Sequence, residues 1–269
     1  MLKDKKVAII GVGRMGGILL NSFMQSGLVM KENLVGSNSR KERADYIGKK
    51  YGIKTYTNNK ELVIGKDIII IAVEPILVRD VLYEIKEIVH KKQLIISIAA
   101  GVKTSSIEGI LDKNIPVIRA LPTSLAQINE SITVIFAGKY VGKYNLKIAT
   151  NIFKTIGLVE IIKREELMNP ITALSCIPAY VYTIVDSLIE GVTREGLSKE
   201  LAKKIVNQNI YGATKMVLKT GHDLALLIEP MVTPGGVTEE GLKKLKEGNM
   251  RKTFIEVISS TTKKCKELS

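Results

Sequence analysis

Val7-Ala8-Ile9-Ile10-Gly11-Val12-Gly13-Arg14-Met15-Gly16 decides how this chain begins to fold. A short apolar run of strand length leads directly into a G-x-G-x-x-G pattern. Beyond it, Ile18, Leu19, Ser22, Phe23 and Met24 recur at helical spacing. With a strand before them and a helix after, the glycines have separate readings. The first permits a tight turn, the second lets a pyrophosphate approach the backbone, and the third lets helix and strand pack closely. The helix start then presents unpaired N–H groups to an anion. Without a ligand the same glycines would make only a tight strand-to-helix turn, so the surrounding pattern has to decide.

That pattern alternates. Strand-like runs are expected at 34–36, 53–56, 68–73, 94–98, 117–121, 132–137 and 158–162, with helices at 76–89, 105–111 and 144–156. Alternation of this kind makes a parallel sheet covered by helices. After Lys163 the strands stop, and helices are expected over 166–191, 198–218, 238–246 and 250–268. The predicted fold is therefore α/β: an N-terminal Rossmann unit with a doubly wound parallel sheet over 1–163, then an all-α domain over 164–269.

Composition narrows the function. The 269 residues are 45% hydrophobic and 25% charged, the balance of a globular protein, and the formal charge is +13. Lysines such as Lys31, Lys41, Lys49, Lys91 and Lys203 are scattered, not gathered with aromatics into a strip, so no nucleic-acid partner is expected. Two cysteines, Cys176 and Cys265, and two histidines, His90 and His222, offer neither metal-ligand spacing nor a Ser-His-Asp triad. No metal is expected, and Cys176 reads as a small buried packing residue. The apolar stretch 171–185 is read as shorter than the roughly 18 residues of a membrane span, hence as a helix buried in protein. With no signal-peptide pattern, the expected compartment is the cytoplasm.

Cofactor choice is read at the end of the second strand, Gly36-Ser37-Asn38-Ser39-Arg40. A carboxylate there would hold a ribose 2′-hydroxyl, and none is present. Arg40 can pair with a 2′-phosphate, and Ser37 and Asn38 can donate hydrogen bonds to it, which favours NADP over NAD.

Further motifs follow in order: Ala72-Val73-Glu74-Pro75, Ser97-Ile98-Ala99-Ala100-Gly101-Val102, Arg119-Ala120-Leu121-Pro122, Pro178-Ala179-Tyr180-Val181 and Thr233-Pro234-Gly235-Gly236-Val237-Thr238. Together with the glycine loop they resemble the pyrroline-5-carboxylate reductase family over nearly the whole chain. The resemblance implies reduction of the C=N bond of 1-pyrroline-5-carboxylate, or a close cyclic imino acid, to proline with NADPH or NADH. It implies that the all-α domain is a dimerisation and substrate domain, so that the protein is a homodimer or higher homo-oligomer; from the shortness read for the 171–185 stretch, no membrane partner is expected. By position, Gly11, Val12, Gly13, Arg14, Met15, Gly16, Ser37, Asn38, Arg40, Asn59, Ala72, Val73, Glu74, Pro75, Ala99, Ala100 and Gly101 would bind the cofactor. Gly235, Gly236, Val237 and Thr238 would hold the substrate carboxylate, and Thr238 would hydrogen-bond the ring nitrogen. A plain helix N-cap is the other reading of Thr238.

Some positions depart from the family pattern. Glu74 replaces a lysine, Thr123-Ser124-Leu125 replaces Asn-Thr-Pro, Ser175-Cys176-Ile177 is shortened, and so is the loop before Pro234. Arg119 through Ser131 and Ser175-Cys176 are similar to the late-competence-associated homologues of the same superfamily. The alternative function is accordingly a non-catalytic, regulatory NADP-binding homologue. A β-hydroxyacid dehydrogenase would carry a lysine on the long helix after the sheet, and 168–186 has none.

Overall fold

Ile68-Ile69-Ile70-Ile71 has no exposed side chain on either face, as expected of a strand at the centre of a sheet with helices on both sides. In the computed structural model, which describes residues 2–267, this strand is β4 of eight. The others are β1 (Val7–Ile10), β2 (Leu34–Ser37), β3 (Lys54–Tyr56), β5 (Leu94–Ser97), β6 (Val117–Leu121), β7 (Ser131–Ala137) and β8 (Gly157–Ile162). Their order across the sheet is β3-β2-β1-β4-β5-β6-β7-β8. Every neighbouring pair is parallel except β6 with β7. Parallel pairing needs a long crossover, and the segment between β6 and β7 holds only a short 3-10 turn, Ser124–Ile128, so the chain reverses there.

Alternate residues feed two cores. Val7, Ile9, Ile68 and Ile70 point to one side, with Leu19, Leu20 and Phe23 of α1 (Arg14–Ser26), Ile47 of α2 (Lys41–Tyr51), and Ile152 and Phe153 of α6 (Lys143–Lys154). Ala8, Ile10, Ile69 and Ile71 point to the other, against α3 (Asn59–Val63), α4 (Pro75–Ile85) and α5 (Thr104–Leu111). The doubly wound expectation holds. Helix α2 went unread because it is mostly charged and buries only Ala44 and Ile47.

Beyond β8 the chain is helical: α7 (Met168–Leu174), α8 (Ile177–Arg194), α9 (Lys199–Thr220), α10 (Leu224–Ile228), α11 (Val237–Glu247) and α12 (Met250–Glu267). The single helix expected over 166–191 is two, broken at Ser175-Cys176. Pro178 explains the break, since it lacks an N–H and its ring opposes the carbonyl four residues back. The final residue of the expected helix 250–268 lies outside the described residues.

The chain forms two compact units, one of residues up to Ser175 together with the chain from Thr261, and one of Cys176–Ser260. This division falls later than the change of secondary structure at residue 163. Helix α7 stays with the sheet because Met168 packs, fully buried, against Leu121 and Val134. In the second unit, Ile189 of α8 packs with Ala202 and Val206 of α9, and Tyr182, Leu188, Tyr211 and Leu218 remain exposed.

The reading of 171–185 as too short for a membrane span is corrected. The uncharged run extends from Leu167 to Val185, and the helical stretch Glu165–Arg194 contains a window of mean hydropathy 1.4 with 11% of it buried. By length and composition it could cross a bilayer, and it is not a core helix within one subunit. Cys176 is half-buried, not buried.

Candidate functional site

The glycine loop turns at the carboxyl end of β1, where the strand order switches direction. In open α/β sheets such a switch point opens a crevice for a ligand. Each glycine has its own constraint. Gly11 has φ +85°, and a Cβ there would lie 2.6 Å from Val73 Cγ1 and 3.0 Å from the Ala72 carbonyl oxygen. A Cβ at Gly16 would lie 2.5 Å from the Gly11 carbonyl oxygen. At Gly13 a Cβ would meet nothing within 4 Å. The first and third glycines are therefore needed by the protein itself. The second leaves open space where a phosphate would sit.

Gly13 is the N-cap of α1 and supplies no side-chain cap, and the first turn carries no acidic residue. The N–H groups at the start of a helix have no intrahelical partner, so this end can receive an anion. The walls converge on it. Val12 N–H donates to the Ser37 carbonyl at 2.8 Å, which joins the loop to the end of β2. Ala72 N–H donates to the Ile10 carbonyl at 2.8 Å, and Ile98 N–H to the Ile71 carbonyl at 3.0 Å. Ala72–Pro75 and Ala99–Gly101 thus line up beyond β4 and β5. The expected cofactor residues at 11–16, 37–40, 59, 72–75 and 99–101 all fall in the first unit, at or beside the carboxyl ends of β1 to β5.

Their side chains are less uniform. Arg40 is exposed, with no carboxylate paired to it among the described residues. Asn38 is partly occupied, since its Oδ1 accepts from Arg40 N–H at 3.2 Å and its Nδ2 lies 3.5 Å from the Val12 carbonyl. Glu74 is the exposed N-cap of α4. Thr123 is buried, and its N–H donates to Ser131 Oγ at 2.9 Å.

The substrate-loop residues lie in the second unit. Thr233-Pro234-Gly235-Gly236 is a type II turn: Gly236 N–H donates to the Thr233 carbonyl at 2.8 Å, with Pro at the second position and Gly235 at φ +73°. Gly235 N–H donates to Glu239 Oε2 at 2.7 Å. Both glycine N–H groups of the expected substrate loop thus have a partner within the chain. The donors left at this end of α11 are the N–H groups of Val237 and Thr238, which follow the N-cap Gly236. Thr238 is exposed at the second helical position. His222 is exposed after Gly221.

Sequence reasoning missed three carboxylates. Glu239, three residues after the N-cap, sits where a capping-box acid sits, and G-V-T-E could have signalled it. Glu84 accepts from Asn59 through both oxygens. Glu165 accepts from Thr104 N–H at 2.8 Å and Thr104 Oγ1 at 3.0 Å, and it lies 3.5 Å from Arg119 Nη1. Neither of the last two has a local sequence signal.

Arg119 is 2% exposed, and its Nε and Nη2 have no hydrogen-bond partner among the described residues. Burial lowers its pKa and the Glu165 carboxylate works against that shift. Through Glu165 the guanidinium is tied to the start of α5, just after the Ala99–Gly101 loop. A buried charge held this way costs several kcal/mol if its partner is lost.

Comparison with known proteins adds the following. Residues 165–268 match a family described as pyrroline-5-carboxylate reductase dimerisation, and residues 6–101 match one described as NADP oxidoreductase, coenzyme F420-dependent. The chain is 31% identical to the pyrroline-5-carboxylate reductase of Methanosarcina acetivorans, covering 99% of both chains. Against the Escherichia coli pyrroline-5-carboxylate reductase it is 30% identical, again over 99% of both. Among solved structures, a Plasmodium falciparum pyrroline carboxylate reductase with NADP bound superposes with a TM-score of 0.91 at 29% identity, covering 100% of this chain and 99% of the other. A pyrroline-5-carboxylate reductase from Coxiella burnetii gives 0.88 at 31% identity, covering 98% of each.

Proposed function

Because the chain belongs to the pyrroline-5-carboxylate reductase family, we propose how its own residues carry out the NADPH-dependent reduction of 1-pyrroline-5-carboxylate to proline. The observation that carries the reading is the open position at Gly13, between two glycines at which a Cβ would collide with neighbouring atoms, at the uncapped start of α1. The dinucleotide pyrophosphate fits there. Arg40 supplies the charge for a 2′-phosphate, and Ala72–Pro75 and Ala99–Gly101 flank the nicotinamide half. When bound, NADPH supplies the hydride for the imine carbon.

The chain's remaining tasks are to bind, orient and protonate. The Val237 and Thr238 N–H groups at the start of α11 hold the substrate carboxylate, and the Thr238 hydroxyl orients the ring nitrogen or relays a proton to it. An imine protonates readily in water, so a site without histidine suffices. Glu74 is exposed at the N-cap of α4.

Homo-oligomer assembly belongs to the helical half, 164–269, whose apolar helices leave large side chains exposed within one subunit. We take a homodimer as the smallest unit and read Glu165–Arg194 as covered by protein, with no membrane or nucleic-acid partner. The two cysteines form no disulfide-framework pattern in the sequence, in keeping with a cytoplasmic setting.

The experiment is NADPH oxidation with pyrroline-5-carboxylate, run on the full chain and on Thr238→Ala. Turnover in the parent, lowered in the variant with NADPH affinity nearly intact, supports the scheme. NADPH binding without turnover in the parent would favour the regulatory homologue. Unchanged turnover in Thr238→Ala removes that hydroxyl from the mechanism.

A further inference from the structure

Asn59 opens α3, and both of its donors go to one acceptor. Its backbone N–H donates to Glu84 Oε1 at 2.9 Å, and its Nδ2 donates to Glu84 Oε2 at 2.7 Å. An ionised carboxylate accepts and does not donate, so the amide can face Glu84 only with its nitrogen. The amide oxygen is thereby turned to Ser37, whose Oγ lies 2.7 Å away. An amide oxygen cannot donate either. The proton in that bond must be the serine's, and a hydroxyl has only one. Ser37, at the end of β2 where the ribose is expected, is left with lone pairs alone.

We propose that Glu84 is a positioning residue for cofactor choice: by fixing the Asn59 amide it makes Ser37 an acceptor, suited to a ribose hydroxyl and unable to donate to a phosphate. The proposal rests on the dinucleotide reading of this crevice. It also revises the expectation that Ser37 donates to the 2′-phosphate. Asn38 is half-committed inside its turn, so the Arg40 guanidinium carries most of the phosphate recognition. The segment then serves both cofactors, with the serine favouring the hydroxyl of one and the arginine the phosphate of the other.

Glu84→Gln tests the relay. A glutamine can donate as well as accept, so the Asn59 amide is free to turn over and offer its nitrogen to Ser37. The serine proton is then released toward the nucleotide. The dissociation constants of NADPH and NADH would be measured by fluorescence titration for the parent, Glu84→Gln, Ser37→Ala and the double variant. Glu84→Gln is expected to shift the NADPH-to-NADH preference toward NADPH by about three- to tenfold, the worth of one hydrogen bond. Ser37→Ala is expected to weaken NADH more than NADPH. In the Ser37→Ala background the Glu84→Gln shift should vanish. A shift that persists there would come from the lost negative charge and overturn the relay, as would no shift in either background. A parent protein that binds neither nucleotide removes the dinucleotide reading itself, a result that is distinct from a failed shift.

Discussion

Two glycine turns precede helices in this protein, and they differ in what their helix starts have left to offer. At Gly11–Gly16 the N-cap brings no side chain, the first turn has no acid, and the middle glycine faces open space. At Thr233–Gly236 the turn hydrogen bond uses one glycine N–H and Glu239 uses the other. The first turn is an open anion cradle. The second is partly closed by a carboxylate of its own helix, so an anion there meets fewer donors and a nearby negative charge. A glycine-rich turn before a helix is thus a binding site only to the extent that its own side chains leave it unsatisfied.

The largest expected effect separates the two turns directly. Gly11→Ala forces a Cβ against Val73 and the Ala72 backbone at φ +85° and should cost about 1–3 kcal/mol of stability. NADPH affinity should fall at least tenfold, since ten is the factor given by about 1.4 kcal/mol. Gly235→Ala meets open space, so only the strain of φ +73° remains, about 1 kcal/mol, with NADPH affinity unchanged. Thermal denaturation and nucleotide titration of the pair would erase the contrast if both variants lost the cofactor equally.

Next in size, Arg40→Ala should remove a charge-assisted contact of about 1.5–3 kcal/mol from NADPH and little from NADH. Equal losses for the two nucleotides would refute the phosphate assignment. A smaller effect tests the second turn. Glu239→Gln keeps an acceptor for Gly235 N–H but removes the charge, and KM for pyrroline-5-carboxylate should fall by about two- to fivefold with NADPH affinity unaltered. A raised KM would mean that the carboxylate helps to hold the substrate.

The smallest effect concerns the sheet that carries the first turn. Asp67 accepts from Lys6 N–H at 2.9 Å and pairs with Lys5 at 3.0 Å, just before β4. Burial pushes this carboxyl up, but the Lys6 N–H and Lys5 ammonium outweigh it and hold it below the usual range. A carboxyl with a lowered folded-state pKa stabilises the fold above its unfolded pKa. That contribution is lost as pH falls through the folded value. Asp67→Asn should therefore be slightly less stable at neutral pH and show a shallower loss on acidification than the parent.

The contrast also explains what could be read from sequence. β1, β4 and the first glycine loop were legible because sterics leave few residue choices there: isoleucines buried on both faces, and glycines where a Cβ would collide. The reversal between β6 and β7 was not, since periodicity gives strands but no direction. Helix α2 was hidden by its charges. The intrachain partners of Ser37, Gly235 and Gly236 were not legible, for one common reason. Whether a donor is free depends on partners such as Asn59 or Glu239, and for Ser37 the deciding group, Glu84, is distant in sequence. The apolar run from Leu167 to Val185 is continuous in sequence, but its low burial shows only in three dimensions.

Calorimetric titration of the purified full chain with NADPH, beside Gly11→Ala and Gly235→Ala, goes straight to the main claim. Saturable binding at one site per chain, weakened at least tenfold by Gly11→Ala and unchanged by Gly235→Ala, is the expected result. Binding that Gly11→Ala leaves as tight as in the parent, or a parent protein that takes up no nucleotide, would contradict it.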